Sequence, residues 1–564
     1  MPNEKELLEI LLTNRGIKRE DWDKFLNPSY DRDMYDPFLM KDMELACVRI
    51  FEATEASEKI VIYSDYDCDG IPAAVIMHDF FEKINYKNYS IYIPDRHDEG
   101  YGLHMDAIKD FIKDEVDLLI TFDLGITAID EVAEAKANDI DVIITDHHLP
   151  RRSPGEDGSD FDFLPNAYAI LNPKQNGCEY PDKNLCGAGI AFKLVQALVR
   201  KYGEYWKIHN GWDKWLLDMA GVATLADQVP LLDENRVIAY YGLKVLRKGK
   251  RPGLSEIFNR SGVDVSKLNE EDITFTLAPK INAASRMDDP MNAFLLLSTN
   301  DNLESRSMAD HLIKINDERK VTVAHIMKDI KKVLGKRKDD EKPIIVVGNP
   351  NWRIGVLGIV ASKVVDEYKK PAFIWGGDGN GFIRGSCRSY GGVNLVDLMT
   401  LLPENALLEF GGHSGAGGFS VSHEEIHFLE DRLMQVFESI ETKEETLLPE
   451  VDAIIGIDDV NNENYKIIEK LAPFGMGNPK PLFFFKGISI DTVKEFGKDK
   501  NHLELTFKNS RDKNVKAIAF FKTRESYGHI LIAGDRIDMV ASIEKNNFLG
   551  KEEIRLKIFD IILK

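Results

Sequence analysis

Short apolar runs separated by amphipathic stretches dominate the first third of the chain. Ile60-Val61-Ile62-Tyr63 reads as a buried strand, followed by a break at Gly70/Pro72 and a helix over Ala73 to Lys83. Ser90-Ile91-Tyr92-Ile93, Leu118-Leu119-Ile120-Thr121 and Val142-Ile143-Ile144-Thr145 repeat the strand pattern, with a helical stretch from Ile129 to Asn138 between the last two. Apolar strands alternating with helices predict an α/β fold built on a parallel, doubly wound sheet. Residues 150–185, rich in Pro, Gly, Asp and Asn, read as a long surface excursion. Helical periodicity returns over Ala188 to Tyr202 and Trp212 to Leu225.

Downstream the pattern changes twice. Apolar positions at Leu303, Leu312, Ile313, Ile315, Val323, Ile326, Ile330 and Val333 predict one or two helices bridging two lobes, ended by the charged run Gly335 to Lys342. A second α/β pattern starts at Pro343-Ile344-Ile345-Val346-Val347 and runs to about residue 440. Glu441 to Pro449 is a linker candidate. Beyond it, alternating runs at Leu482–Phe485, Leu503–Phe507, Val515–Phe521, Ile537–Val540 and Ile554–Ile558 predict a small all-β barrel of the oligonucleotide-binding type. Residues 1–45, with turns at Asn27-Pro28 and Asp36-Pro37, read as small helices leading into the first domain. At 564 residues the chain exceeds one hydrophobic core, consistent with this division.

Charge complicates the picture. The formal net charge of −22 argues against a globally basic nucleic-acid binder. The charge is unevenly spread: residues 461–564 carry +5 and the preceding lobes carry the acidity. No run approaches the 18 apolar residues or so of a membrane span. The first residues mix acids and bases, so no signal peptide is expected. Five cysteines without a CxxC pair fit reduced thiols, and a cytoplasmic location is expected.

Part of the acidity is placed where it can do chemistry. Asp65-Tyr66-Asp67-Cys68-Asp69-Gly70 follows the strand at 60–63 directly. An EF-hand loop opens similarly, but its twelfth position would be Ile76, and a strand stands where a helix is required. Asp123-Leu124-Gly125 follows the strand at 118–121, and Asp146-His147-His148 follows that at 142–145. All three clusters open onto the C-terminal edge of the sheet, where open α/β folds bind ligands. Carboxylates packed so closely repel unless cations neutralise them. Oxygen and imidazole donors without thiolates suit Mn²⁺ or Mg²⁺ better than structural zinc. Asp227, ending the apolar stretch Gly221 to Ala226, is a fourth contributor that would complete two adjacent metal sites.

Asp67-x-Asp69, Asp123, Asp146-His147-His148 and Asp227 together resemble the four motifs of the DHH phosphoesterase superfamily. Within it, the chain is similar to the branch of single-strand-specific exonucleases. The similarity extends to Phe25–Pro28, Asn172–Leu194, Pro279–Asp288, Trp352–Val360, Gly385–Ser389, Gly411–His413 and Ala472–Pro479, in order along nearly the whole chain. It implies an N-terminal lead (1–45), a DHH catalytic domain (46–300), the helical bridge (301–342), a DHH-associated domain (343–440) and the β-barrel (450–564). Cys68, Ser285 and Ser414-Gly415-Ala416-Gly417-Gly418 depart from the family pattern without removing a candidate ligand. Cys68 is expected to be a small buried hydrophobe pointing away from the metals.

The resemblance implies a 5′→3′ exonuclease that hydrolyses single-stranded DNA to mononucleotides with two divalent cations, Mn²⁺ or Mg²⁺, in DNA repair and recombination. It implies Asp67, Asp69, Asp123, His147 and Asp227 as ligands, with Asp65 as a further ligand or a group behind them. Asp146 is expected to orient a histidine, and His148 to contact the scissile phosphate. Histidines at successive positions of a strand would face opposite ways, so the chain must leave the strand at Asp146. Arg96, Asn282, Arg286, Ser386, Arg388 and His413 are implied phosphate or DNA contacts. Trp352 and Tyr390 are candidate stacking surfaces or core residues. Single-stranded DNA is the expected partner. A single-strand-binding protein and a helicase are candidate protein partners, and the chain is expected to act as a monomer. The competing readings are a small-substrate DHH phosphodiesterase acting on short oligonucleotides or cyclic dinucleotides, and a non-catalytic scaffold of a replication complex.

Overall fold

The computed structural model describes residues 4–154, 160–337, 342–377, 383–438, 450–498, 500–548 and 551–563. The linker candidate Glu441 to Pro449 lies outside them. The chain divides into two units: Asp36–Asp227 with Gly242–Thr446, and Met1–Tyr35 with Gln228–Tyr241 and Leu447–Lys564.

The larger unit contains two five-stranded sheets. The first has the strand order β2-β1-β3-β4-β7, where β1 is Ile60–Ser64, β2 Tyr89–Tyr92, β3 Leu118–Phe122, β4 Asp141–Thr145 and β7 Ala169–Leu171. Every pairing is parallel. β1 and β3 are buried at all five positions, which is why they read as continuous apolar runs rather than alternating ones. Ser64, Phe122 and Thr145 are in register at the ends of three adjacent strands. The next residues, Asp65, Asp123 and Asp146, therefore stand in a row along one sheet edge.

β7 corrects the reading of residues 150–185 as a surface excursion. The segment forms a hairpin, β5 (Arg151–Pro154) with β6 (Asp160–Phe163), and then β7 joins the sheet beside β4. Leu171, Asn172, Tyr180 and Leu185 are fully buried. A three-residue strand is too short to carry a periodic signal.

The second sheet has the order β11-β12-β10-β9-β8: β8 is Ile345–Gly348, β9 Ala372–Gly377, β10 Ile383–Arg388, β11 Glu409–His413 and β12 Ala416–Val421. Only β8 and β9 pair in parallel. Its core includes Phe373, Cys387, Leu398, Phe419 and Leu433. The expected bridge is one helix, Asn302–Leu334, whose 33 residues span about 50 Å. Asp301 caps it, its side chain accepting from the Leu303 and Glu304 amides. Leu312, Ile315, Val323, Ile326 and Ile330 form its buried stripe, while Leu303 lies outside it at 75% exposure.

The smaller unit is built on a seven-stranded sheet of order β13-β14-β18-β19-β17-β16-β15: β13 Ala453–Ile454, β14 Phe483–Ser489, β15 Thr492–Phe496, β16 His502–Lys508, β17 Asn514–Ala519, β18 Arg536–Phe548 and β19 Lys551–Leu563. β15 has no counterpart among the expected strands, and β18 and β19 are longer than the expected ones. Leu7, Leu11, Leu12 and Phe25 share one core with Phe483, Phe485, Leu503 and Leu556. The first helices thus complete the β-rich unit rather than lead into the first α/β lobe. That packing joins chain ends and leaves no local pattern. Arg236, from the middle segment, stacks its guanidinium 3.7 Å from the centre of the Phe25 ring and donates to the carbonyls of Phe25, Leu471 and Ala472. Among the described residues, no helix is long and apolar enough to cross a membrane.

Candidate metal centre

The row of aspartates sits at the crevice between β1 and β3, where the strand order reverses. Parallel sheets open a ligand site at such a point. A turn after β1 carries Asp67 and Asp69 into it. Asp67 Oδ1 accepts from the backbone of Asp69 (2.7 Å) and Gly70 (3.1 Å), which closes the turn into the helix Gly70–Lys83. Asp69 is held by a second helix. Its two oxygens accept from the amides of Gly187 (2.6 Å) and Ala188 (2.7 Å), at the start of the helix Gly187–Tyr202. A helix N-terminus favours such a charge. Gly187 has no spare room: a Cβ there would lie 2.7 Å from the Asp123 Cβ. Asp123 adopts φ +63°, a left-handed conformation that Asp tolerates better than most residues.

The chain leaves the strand after Thr145, as the paired histidines required. His147 Nε2 lies 3.1 Å from Asp123 Oδ1, 3.7 Å from Asp69 Oδ2 and 3.9 Å from Asp227 Oδ2. Burial pushes the His147 pKa down to about 3, and its ring also bonds the Leu185 backbone. A neutral ring engaged on its far side presents the Nε2 lone pair to three carboxylates. His148 behaves oppositely. Burial disfavours its charge, but Asp146 Oδ1, 2.8 Å from Nδ1, outweighs that and raises its pKa to about 9. Asp146 also accepts from the amides of His147, His148 and Ile126.

The remaining carboxylates show the strain of packing. Burial, then neighbouring aspartates, raises Asp227 to about 8 and Asp69 to about 6. The same causes raise Asp65 and Asp123 well above the ordinary range. Asp65 Oδ1 and Asp123 Oδ1 are buried without a hydrogen-bond partner. Three groups have ligand atoms mutually within 4.8 Å: Asp65, Asp67 and Asp123; Asp69, His147 and Asp227; Asp123, His147 and His148. Orphaned, buried oxygens beside a lone-pair nitrogen, without thiolates, fit hard or borderline divalent cations. Asp123 and His147 each belong to two of the groups.

Asp65, Asp67, Asp123, His147, His148, Asp227, Arg96, Asn282 and Arg286 line one cavity of about 270 Å³. The expected DNA contacts divide. Asn282 uses its Oδ1 to accept the Cys68 amide at 2.8 Å, so it also fixes the aspartate turn. Arg286 donates to the Gly355 carbonyl at 2.9 Å, and burial, then Arg96 and Arg319, lowers its pKa to about 9. Ser386 and Arg388 stand on β10, outside the cavity, beside Gly358 in the first turn of the helix Leu357–Tyr368. Burial, with the charge of Arg96, disfavours the Arg388 cation. His413 is exposed on the edge strand β11, away from the cavity. Trp352 is a core residue at 5% exposure, whereas Tyr390 is exposed. Cys68 is buried as expected.

Two residues in the cavity carry no role in the sequence-based reading. Tyr101 Oη donates to the Asp123 carbonyl and lies 3.1 Å from His148 Nδ1. Tyr66 lies under Arg96, whose guanidinium carbon is 4.8 Å from the centre of the Tyr66 ring. Tyr66 stands inside a motif and was open to notice; Tyr101, in a Gly-flanked turn, had no distinguishing spacing.

Comparison with known proteins agrees with this architecture. The chain matches the models for the DHH family, N-terminal domain (residues 59–224), the DHHA1 domain (340–441) and the RecJ OB domain (451–560). It is 36% identical to the single-stranded-DNA-specific exonuclease RecJ of Bacillus subtilis, over 98% of this chain and 67% of the relative. The fold matches a Mn²⁺ complex of RecJ from Thermus thermophilus with a TM-score of 0.79 at 24% identity, covering 99% of this chain and 76% of that one. A manganese-bound exonuclease RecJ gives 0.61 at 28% identity, covering 72% and 96%. Three domain types in chain order, a matching fold and end-to-end identity lead to one conclusion: the chain belongs to the RecJ family.

Proposed function

We propose that this chain is a divalent-metal-dependent exonuclease that degrades single-stranded DNA from the 5′ end and releases mononucleotides. The observation that carries the reading is the buried carboxylate cluster. One of its partnerless oxygens, Asp123 Oδ1, lies 3.1 Å from a neutral imidazole nitrogen, in a protein whose relatives are named single-stranded-DNA-specific exonucleases. The manganese-bound relative supports the same cofactor class here.

Asp67, Asp69, Asp123, His147 and Asp227, with Asp65, would hold two cations, Mn²⁺ or Mg²⁺. Bound there, the cations supply Lewis acidity and a water of lowered pKa. The chain itself contributes position and charge. Asp69 is pinned by the Gly187 and Ala188 amides and so presents a fixed edge. Asp146 keeps His148 protonated, and a charged His148 contacts the scissile phosphate. Asn282 locks the aspartate turn through the Cys68 amide.

Arg96 and Arg286 line the cavity, and Ser386 with Arg388 gathers at a helix N-terminus. That set of forks, hydroxyl and amides suits a terminal phosphate, which makes the 5′ end the point of entry. His413, exposed on β11, would contact DNA further along. Single-stranded DNA is the partner. The protein acts as a monomer in the cytoplasm, in repair and recombination, on strands supplied by a helicase and covered by a single-strand-binding protein.

The test uses oligonucleotides labelled at either end, with Mn²⁺. A 5′ label should appear at once as mononucleotide, and a 3′ label should step down a ladder. A blunt duplex should resist, and Asp123→Ala should be inactive. Mononucleotide first from the 3′ label would reverse the polarity. Turnover confined to strands of a few nucleotides would favour the small-substrate reading, and an inactive wild type the scaffold.

A further inference from the structure

The two lobes of the larger unit meet beside the cavity, and three hydrogen bonds cross the joint in sequence. Arg384, on β10 of the second lobe, donates through Nη1 to the His97 carbonyl at 3.3 Å. His97, in a turn after β2, points Nε2 at the Arg286 carbonyl, 3.2 Å away. A carbonyl only accepts, so that ring nitrogen carries the proton. Arg286, at the end of the helix Ala278–Met287, donates through Nη1 to the Gly355 carbonyl at 2.9 Å. Gly355 stands just before the helix Leu357–Tyr368, in the same lobe as Arg384. The chain of bonds thus leaves the second lobe at Arg384 and returns to it at Gly355.

The joint is close-fitting. A Cβ on Gly355 would lie 2.5 Å from the Arg286 carbonyl oxygen and 2.8 Å from His97 Cε1, so only a residue without a side chain permits the approach. The turn that bears His97 is braced by its own residues. Asp95 Oδ1 accepts from the amides of His97 (2.6 Å) and Asp98 (3.0 Å), and Glu99 Oε2 accepts from the Asp95 amide (2.7 Å). Arg96 lies inside this braced turn, so whatever holds His97 also holds Arg96.

Both guanidinium groups of the cavity therefore depend on the joint: Arg286 is a member of it, and Arg96 precedes His97. After burial, the charge of Arg96 is the next cause that disfavours the Arg286 cation. Two cations that repel keep a fixed spacing only where the backbone carrying them is held. The holding strand is itself part of the same subsite. Along β10 the half-buried positions are Arg384, Ser386 and Arg388, which alternation places on one face. One strand thus carries two of the donors suited to a terminal phosphate and fastens the turn that carries a third.

We propose that His97 and Arg384 are positioning residues that fasten the Arg96 turn and the Arg286 helix end to the second lobe, so that Arg96, Arg286, Ser386 and Arg388 grip a 5′-phosphate only while the two lobes are joined. The proposal rests on the terminal-phosphate reading above and deepens it: neither residue touches the substrate, and both act through the arginines.

The test compares steady-state hydrolysis, by the full chain with Mn²⁺, of one single strand carrying either a 5′-phosphate or a 5′-hydroxyl. His97→Ala should raise KM for the phosphorylated strand about 10-fold with kcat little changed, and leave KM for the hydroxyl strand as in wild type. Arg384→Ala should show the same split. The double variant should lose no more than either single one, because each breaks the same chain of bonds. His97→Gln, whose amide can donate to the Arg286 carbonyl, should restore KM. Equal KM rises on both strands, a fall in kcat alone, additive losses, or His97→Gln as poor as His97→Ala would each overturn the proposal. Hydrogen exchange in EDTA gives a second readout. In Arg384→Ala it should quicken at residues 95–99 and 286–288 together and stay unchanged in β1. Unchanged exchange at either segment, or a rise in β1 as well, would overturn the joint. A wild type indifferent to the 5′-phosphate would sink the terminal-phosphate reading instead, while exchange still decides whether His97 and Arg384 hold the joint.

Discussion

Asp146 Oδ1 and His148 Nδ1 lie 2.8 Å apart, and this pair sets the one imidazolium among the cavity's acids. The two histidines of one motif thereby differ: His147 is a neutral donor, and His148 a charged one. Asp146→Asn keeps the shape but loses the charge that sustains His148. Activity should fall about 10- to 100-fold, with Mn²⁺ binding by calorimetry reduced less than activity. Equal losses in both would mean that Asp146 supports the whole site rather than His148.

The packed carboxylates make a signed pH prediction for the metal-free chain. Asp227 and Asp69 hold protons to about 8 and 6 in the folded state, against about 4 in an unfolded chain. Between those limits the native state binds more protons, so stability falls as pH rises from about 4 to about 8. Cations require the deprotonated ligands, so stabilisation by Mn²⁺ should grow over the same range. Thermal melts at several pH values, with EDTA and with Mn²⁺, should therefore diverge with pH. Parallel curves would contradict the arrangement.

Neutralising one orphaned acid should separate stability from activity. Asp123→Asn replaces a buried carboxyl whose ionised form burial and the neighbouring aspartates disfavour and whose Oδ1 has no partner. It should raise the melting temperature in EDTA while abolishing Mn²⁺-dependent hydrolysis. A lower melting temperature in EDTA would show that the charge is already compensated by the protein.

Gly187→Ala tests the contact between a helix start and the cluster. A methyl group 2.7 Å from the Asp123 Cβ forces one of them to move. The cost should be about 1–3 kcal/mol of stability, read from urea unfolding, with activity lost alongside. Full activity would mean that the helix yields easily.

Much of this centre was legible in the sequence for a specific reason. Asp65, Asp123 and Asp146 each follow a largely apolar strand, so parallel pairing alone aligns them. Asp227 was legible as the polar end of an apolar helix. Asp69's anchor was not, because Gly187 and Ala188 are ordinary helix residues 118 and 119 positions away. β7 was hidden by its length. The anchoring role of Asn282 was not legible either, because nothing local shows that its oxygen accepts the Cys68 amide. The second lobe's arginines show the same limit. Arg353 donates to the Met287 carbonyl and Arg384 to the His97 carbonyl, long-range contacts without a motif.

The core shared by Leu7, Leu11 and Leu12 with Phe483 and Leu556 also bears on the order of events at the ribosome. These leucines emerge hundreds of residues before their partners. At about 5–20 residues per second, they wait on the order of a minute for the strands that cover them. During that interval the helix Glu4–Asn14 offers an unsheltered apolar face, and the unit cannot close before β19 is released. Removing β18 and β19 would thus expose that helix as well as delete two strands, and a variant lacking them would report that exposure together with any loss of grip on DNA.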